Sequence, residues 1–370
     1  MIIAAAGTAG HINPGIAIAN KIMQEDKNSK IIFIGTTRGI ENDLVPRSGF
    51  ELKTIEAYGL SKKISIENIK KNIKTLQGFS QAKKIIQEFK PDIVIGTGGY
   101  ICGAVISSAH KLKIPTLLHE SNAFPGKATK FLSKKTNTIL VSFKETKARL
   151  KSKNNVIHTG TPVKIQKQEY SLNRSVEILK SLGLKEDLPI VLVFGGSQGA
   201  KNINDALIEI ITRKLNNKYQ IVWAAGPKQY DKVIEKIKDN CIAIQLMENI
   251  KIFPYIYNME EVMNVSDLIV ARSGAMTITE IANLAKPSIL IPLPNVSHNH
   301  QMYNAKVLEK VYAAKIIEDK NLYGEILDTT IKKIVLDLDK MKRMGENATK
   351  IEMKNVLDRI YNEIKLLVKK

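Results

Sequence analysis

Two stretches of this chain begin in the same way. Met1 to His11 reads M-I-I-A-A-A-G-T-A-G-H, and Ile190 to Ala200 reads I-V-L-V-F-G-G-S-Q-G-A. In each, a short apolar run leads straight into a glycine turn, and helical sequence follows. Runs this short suit a strand buried on both faces, and glycine lets the backbone turn sharply into a helix. A pattern that stops and restarts in the middle of a chain restricts it to a repeated α/β architecture.

The intervening sequence keeps the alternation. Strands are expected at Ile2 to Ala6, Ile31 to Gly35, Asp92 to Gly96, Pro115 to His119, Thr138 to Ser142 and Val156 to Gly160. A helix from Pro14 to Gln24 carries proline near its start. Thr161 to Leu172 is polar, lacks apolar periodicity, contains Pro162 and reads as a linker. Strands then follow at Ile190 to Phe194, Tyr219 to Ala224, Ile242 to Leu246, Asp267 to Ala271, Ser288 to Leu293 and Ala313 to Ile317. Short apolar strands separated by helices imply parallel, doubly wound sheets. The expected division is 1–162, 163–340 and a charged helical tail, 341–370, packing back across the domains.

A chain of 370 residues with 44% hydrophobic content can bury two cores. It has no apolar run long enough to span a bilayer, and it opens on a strand with no signal-like segment. Cys102 and Cys241 are too few and too far apart for a disulfide framework or a zinc site. These features together suggest a cytoplasmic protein. The net charge of +20 admits nucleic acid, an anionic membrane or an acidic substrate as partner. With only 6% aromatics and no stacking or zinc-finger motif, nucleic acid is disfavoured.

The most informative stretch is Ala271 to Glu280, A-R-S-G-A-M-T-I-T-E. A helix that begins directly after a parallel strand aims free N–H groups and its positive dipole end beyond the strand, which makes an anion site. Glu280 lies too far into this helix to cap it and could accept hydrogen bonds from two neighbouring ribose hydroxyls. H-N-H-Q-M-Y-N-A, from His298 to Ala305, brings amides and imidazoles to the end of a neighbouring strand. Together these suggest a nucleoside diphosphate.

Three glycine turns, Gly7 to His11, Gly96 to Tyr100 and Gly195 to Ala200, add capacity for several phosphates. None has the G-x-G-x-x-G spacing of a dinucleotide site, and Gly126-Lys127 does not fit a P-loop. Ser197 in G-G-S-Q-G is not a hydrolase elbow. Asp337 and Asp339 read as a solvated helical face, and no cluster has credible metal spacing. His11, after the first turn, and His119, at a strand end, are candidate bases. Glu120 could orient such a base or hold a substrate hydroxyl. Lys62 to Lys84 is basic and amphipathic. Ile66, Ile69, Ile73 and Leu76 recur at helical spacing, so the stretch suits either an anionic bilayer or a helix with a core face.

In combination, G-T-A-G-H-I-N-P, G-T-G-G-Y, H-E-S-N, T-G-T-P-V-K, G-G-S-Q-G-A, R-S-G-A-M-T-I-T-E and H-Q-M-Y-N-A resemble the MurG family of N-acetylglucosaminyltransferases, in family order from Gly7 to Ala305. The resemblance implies the two-domain GT-B fold and no cofactor or metal. It implies inverting transfer of N-acetylglucosamine from UDP-N-acetylglucosamine to the 4-hydroxyl of the muramoyl sugar of lipid I, undecaprenyl-pyrophosphoryl-MurNAc-pentapeptide. The product is lipid II, and the place is the cytoplasmic face of the plasma membrane. It also assigns residues. Ser197 and Lys164 would contact phosphate, Ile256 the uracil, and Ala275, Met276, Thr277, Ile278, Thr279 and Glu280 the diphosphate and ribose. Gln301, with Thr8, Ala9, Gly10 and Asn122, would hold the donor sugar. Gly98, Gly99 and Tyr100 would face the acceptor, with His11 as base. The chain departs from the family pattern at Ala9, Ser121 and Lys164, where a glycine, a glutamine and an arginine are usual.

Other readings stay open on the residues alone. They are a transferase of the same fold with another lipid acceptor such as a diacylglycerol, a UDP-N-acetylglucosamine 2-epimerase, and a sugar-nucleotide-binding subunit without activity of its own.

Overall fold

The computed structural model describes residues 1–58, 65–150, 155–163, 165, 167–168, 170–196, 199–240 and 249–369. The expected strand at Ile242 to Leu246 lies outside them. The chain divides into two compact units, Met1–Lys164 with Met353–Lys370, and Ile165–Glu352.

The first unit runs β1 (Ile2–Ala5), α1 (Ala9–Glu25), β2 (Ile32–Gly35), α2 (Glu41–Arg47), β3 (Glu51–Thr54), α3 (Ile66–Phe89), β4 (Val94–Gly98) and α4 (Ile101–Lys111). It continues through β5 (Thr116–Glu120), α5 (Lys127–Leu132), β6 (Thr138–Val141), α6 (Lys144–Arg149) and β7 (Asn155–His158). All its strand pairs are parallel, in the order β3-β2-β1-β4-β5-β6-β7. β1, β2, β5 and β6 are buried along their whole length because helices cover both faces. One apolar layer gathers Ile2, Ile34, Val94, Ile106 and Ile139 under α3 and α4; the opposite layer gathers Ile3, Phe33, Ile95 and Leu140 under α1.

The second unit runs α7 (Leu172–Leu182), β8 (Ile190–Phe194), α8 (Lys201–Thr212), β9 (Gln220–Ala224), α9 (Tyr230–Asp239), β10 (Ile250–Phe253), α10 (Met259–Val265) and β11 (Leu268–Ala271). α11 (Ala275–Asn283), β12 (Ser288–Leu290), α12 (His300–Lys310), β13 (Ala314–Ile316), α13 (Gly324–Val335) and α14 (Leu338–Ala348) follow. Its parallel sheet has the order β10-β9-β8-β11-β12-β13. The chain then returns to the first unit as α15 (Val356–Val368), whose Ile360, Ile364 and Leu367 complete the layer under α1. Asp337, one of the two acids considered for a metal, caps α14 by accepting from the Lys340 amide.

The order in which the chain adds strands reverses once in each sheet, between β1 and β4 and between β8 and β11. Crevices beyond the carboxyl ends of the strands at such a reversal are where open α/β sheets bind ligands. The Gly7, Gly99, Gly195 and Gly274 turns all follow strands at these two reversals.

Sequence and structure differ at several elements, among them β12, which ends at Leu290 where Leu293 is expected. β3, E-L-K-T, was not expected: it is a largely exposed edge strand and carries no apolar run. β10, I-K-I-F, was missed for a similar reason, since three of its four residues are only half-buried. β4 extends through Thr97 and Gly98, expected to be turn, because a register shift opposite Ala4 and Ala5 takes up Thr97 as an extra residue. α1 starts at Ala9, well before Pro14, so His11 stands in the first turn of a helix.

Candidate active site

In the first unit the site begins where β1 ends. Ala6 and Gly7 turn the chain, with Gly7 at φ +98°, and Thr8 leads in extended geometry into α1. No side chain caps α1; the His11 amide donates to the Thr8 carbonyl at 2.9 Å, and the start of the helix, with its positive dipole end, suits an anionic ligand. The half-buried His11 lies against the Ala6 carbonyl, with Nδ1 at 3.1 Å. Thr97, the bulge residue of β4, donates its hydroxyl to the His11 carbonyl at 2.7 Å. The next residue must be glycine: a Cβ on Gly98 would stand 2.3 Å from His11 Cδ2, and its φ is +135°. Gly99 follows at φ +86° against the Ala6 carbonyl, and Tyr100 begins the approach to α4, 39% exposed.

At the end of β5 the other two candidate acid–base groups are engaged by the protein itself. His119 is buried, with Nε2 3.0 Å from the Gly160 carbonyl and Ser121 Oγ near Nδ1; burial pushes its pKa below the ordinary histidine value. Glu120 Oε1 accepts from the backbone and side-chain nitrogens of Asn122, and Oε2 from the Gly126 amide and the Thr129 hydroxyl. Four donors on one carboxylate shape the loop that presents Asn122. Cys102, beneath the β4 turn, is a core side chain whose thiol burial pushes up to about 12.

In the second unit, Gly274 opens α11 in extended geometry, and again no side chain caps the helix. Ser273, fully buried, donates its hydroxyl to the Gln301 carbonyl at 2.8 Å, while Asn304 donates its side-chain amide to the Ser273 carbonyl at 3.1 Å. The anion turn and the start of α12 are thereby locked together. Gln301 Oε1 accepts from the Leu293 amide at 2.9 Å. Only the oxygen of that amide can accept, so the nitrogen end is left to act as a donor. His298 and Asn299 precede it in left-handed backbone, at φ +55° and +52°, strain that a non-glycine residue tolerates only where surrounding structure demands it. Arg272, buried, donates to the Ile291 carbonyl and pairs with Asp319, which also accepts from Asn202 at the head of α8.

Glu280, in the second turn of α11, makes no hydrogen bond or ion pair with the described residues. Burial pushes its carboxyl up to about 7. Ala275 and Ile278 are buried, whereas Met276, Thr277 and Thr279 are half-buried. Ile256 is buried just beyond β10, beside the exposed Tyr255 and Tyr257, whose rings meet edge to face. Ser197 and Lys164 lie outside the described residues. Among the described residues no group of three or more His, Cys, Asp or Glu side chains is placed to hold a metal ion.

The sequence places Ser273 in the tight turn before α11 and carries Arg272, Asn304 and Thr97 inside motifs without a role for them, and Glu41 lies outside every motif. For Glu41 a signal existed, since Gly35 and Gly39 closely precede it. A Cβ on either would run into its side chain.

Comparison with known proteins agrees with this geometry. The glycosyltransferase family 28 N-terminal domain matches residues 1–141, and its C-terminal domain matches 190–360. The UDP-N-acetylglucosamine–N-acetylmuramyl-(pentapeptide) pyrophosphoryl-undecaprenol N-acetylglucosamine transferase of Acetivibrio thermocellus is 44% identical over 370 residues, covering 100% of this chain and 98% of that protein. The crystal structure of Acinetobacter baumannii MurG superposes with a TM-score of 0.76 at 26% identity, over 98% of each chain. The chain belongs to the MurG family. The GT-B fold is shared more widely. UDP-GlcNAc 2-epimerase from Neisseria meningitidis, solved with UDP-GlcNAc, gives a TM-score of 0.64 over 98% of this chain at 17% identity, a likeness of fold alone. Membership in the MurG family, and not the shared fold, separates a transferase from an epimerase here.

Proposed function

We infer that this MurG-family chain is the inverting N-acetylglucosaminyltransferase that converts lipid I to lipid II, with UDP-N-acetylglucosamine as donor. The observation that carries the reading is full-length relationship to transferases of that name, joined to a histidine in the first turn of α1 in the first unit and, in the second, a helix with no side-chain cap for a diphosphate. The first unit takes the lipid-linked acceptor and the second the UDP-sugar.

The chemistry follows from the residues. His11 Nε2 removes the proton of the muramoyl 4-hydroxyl as the oxygen attacks the anomeric carbon, and the UDP oxygen leaves from the opposite face, so the configuration inverts. Charge develops on the diphosphate. The first-turn amides of α11 and its dipole stabilise that charge. Glu280 receives the ribose hydroxyls, and the side-chain amide of Gln301 donates to the donor sugar. Thr8, Ala9, Gly10 and Asn122 contribute to sugar recognition, and Gly98, Gly99 and Tyr100 border the acceptor. Ser197, Lys164 and Ile256 are proposed donor contacts. His119 and Glu120, engaged as described, position the Asn122 loop and leave the base role to His11.

α3 supports attachment to a membrane surface. Its buried face is Gly78, Ala82 and Ile86, whereas Ile73 and Leu76 are 52% and 70% exposed among the exposed Lys70 and Lys74. An apolar stripe turned to solvent between lysines suits an anionic bilayer better than a core. No described helix is long and apolar enough to cross a membrane, so we propose peripheral attachment at the face where lipid I is presented.

The test is transfer of labelled N-acetylglucosamine from the UDP donor to a lipid I analogue by the purified chain. A β-1,4-linked product is expected. Transfer only to a diacylglycerol, or conversion of the donor without an acceptor, would replace this reading.

A further inference from the structure

Glu41 opens α2 with its side chain fully buried. Its Oε1 accepts from the Thr36 amide at 3.1 Å and the Thr36 hydroxyl at 2.7 Å, and its Oε2 accepts from the Gly7 amide at 3.1 Å. No lysine or arginine among the described residues pairs with it. Two glycines make room: a Cβ on Gly39 would stand 1.9 Å from Oε2, and one on Gly35 2.8 Å from Cγ. A carboxylate held in such a fitted space, bonded to the turn of the first glycine motif, calls for an explanation.

The Gly7 N–H and the Ala6 carbonyl belong to one peptide group. Glu41 accepts from its N–H end, and His11 Nδ1 lies 3.1 Å from its carbonyl oxygen. A carbonyl only accepts, so the ring nitrogen facing it carries the proton. We propose that Glu41 is a positioning residue for the reaction. Its carboxylate acts on His11 through the intervening Ala6–Gly7 peptide, holding the imidazole in the Nδ1–H tautomer with Nε2 as the basic nitrogen. The carboxylate polarises the peptide, the carbonyl becomes a stronger acceptor, and the chain of hydrogen bonds strengthens cooperatively. When Nε2 takes the proton of the acceptor hydroxyl, the Nδ1 proton stays where it is. The positive ring is then stabilised by a carboxylate one peptide away. Thr97 holds the backbone of His11 and Gly98 leaves space for the ring, so tautomer and orientation are set together.

This inference rests on His11 as the base, and its test separates the two ideas. In the intact protein, the nitrogen-15 shifts of His11, assigned by their loss in His11→Ala, are expected to show the Nδ1–H tautomer near neutral pH. The Nε2–H tautomer would overturn the proposal with no variant of Glu41 needed. Glu41→Gln keeps the shape but removes the charge and one acceptor. It is expected to lower kcat by about tenfold or more, below the roughly 10²–10⁴-fold that a general base supplies, with KM for the UDP donor within about twofold. In the His11→Ala background the same change is expected to leave kcat as it is, because the two residues act in series. An equal loss in both backgrounds would mean that Glu41 only supports the fold, and the proposal would fall. Unchanged kcat in His11→Ala alone would remove the base reading while the tautomer result still stood on its own.

Discussion

Glu280 shows how far one side chain can be read. Its place in A-M-T-I-T-E suggested a ribose carboxylate; that burial lifts its pKa to about 7 depends on packing that no motif displays. The sign can be worked out. Between the ordinary value of 4.5 and about 7, the unfolded chain has lost this proton and the native chain keeps it. The group's contribution to stability therefore falls as pH rises through that window and levels off above it. Donor binding runs the other way. Ribose hydroxyls donate to the ionised form, so UDP affinity should rise with pH through about 7. Calorimetric titration of UDP should show this, with Glu280→Gln weaker by about 2 kcal/mol at high pH and nearly independent of pH. A wild-type affinity flat from about pH 6 to 8 would remove Glu280 from the ribose. His119 and Glu120 teach the converse. Their residue types and strand-end position marked them as acid–base candidates, but only the coordinates show the Gly160 carbonyl on one and four donors on the other. Sequence names chemical capacity, and partners decide whether it is spent.

At the scale of elements, legibility followed burial. β1, β8 and β11 are apolar throughout because both faces are covered, and they were read to within a residue or two. β3 and β10 occupy sheet edges, where water tolerates polar residues and the apolar signal fades. α1 was read short because Pro14 looked like a helix start; the helix instead accepts proline in its second turn and begins on the Thr8 cap. α15 illustrates an element whose sequence declares a helix but not its destination. Ile360 and Ile364 are each 1% exposed in the first unit's core. Ile364→Ala should therefore cost about 2–5 kcal/mol, because it leaves a cavity beside α1. Leu366→Ala, at a side chain 56% exposed, should stay within about 0.5 kcal/mol. Urea unfolding of the two variants makes the comparison. Equal midpoints would mean that α15 contributes little to that core.

For the molecule as a whole, the open question from composition was what a net charge of +20 serves. Charge alone could not choose between a compositional habit and a surface, and the spacing of Ile66, Ile69, Ile73 and Leu76 fitted either a core or a bilayer. The exposure of Ile73 and Leu76, against the burial of Ala82 and Ile86, gives the stripe a direction. Binding to such a surface has two parts that respond differently. Each lysine near an anionic bilayer contributes about 1 kcal/mol and is screened by salt. Each large aliphatic side chain contributes about 1.5–3 kcal/mol when buried and is not screened. Sedimentation with vesicles containing anionic lipid should thus show binding that weakens with added salt but does not vanish. Ile73→Ser with Leu76→Ser should lower the vesicle partition at least tenfold at every salt concentration, while Lys70→Glu with Lys74→Glu should remove mainly the salt-sensitive part. Neither pair lies at the sugar site, so transfer to a water-soluble acceptor analogue should continue in both. Vesicle binding that both pairs leave intact would place the membrane contact elsewhere on the protein, and the lysines of α3 would then be a solvated face.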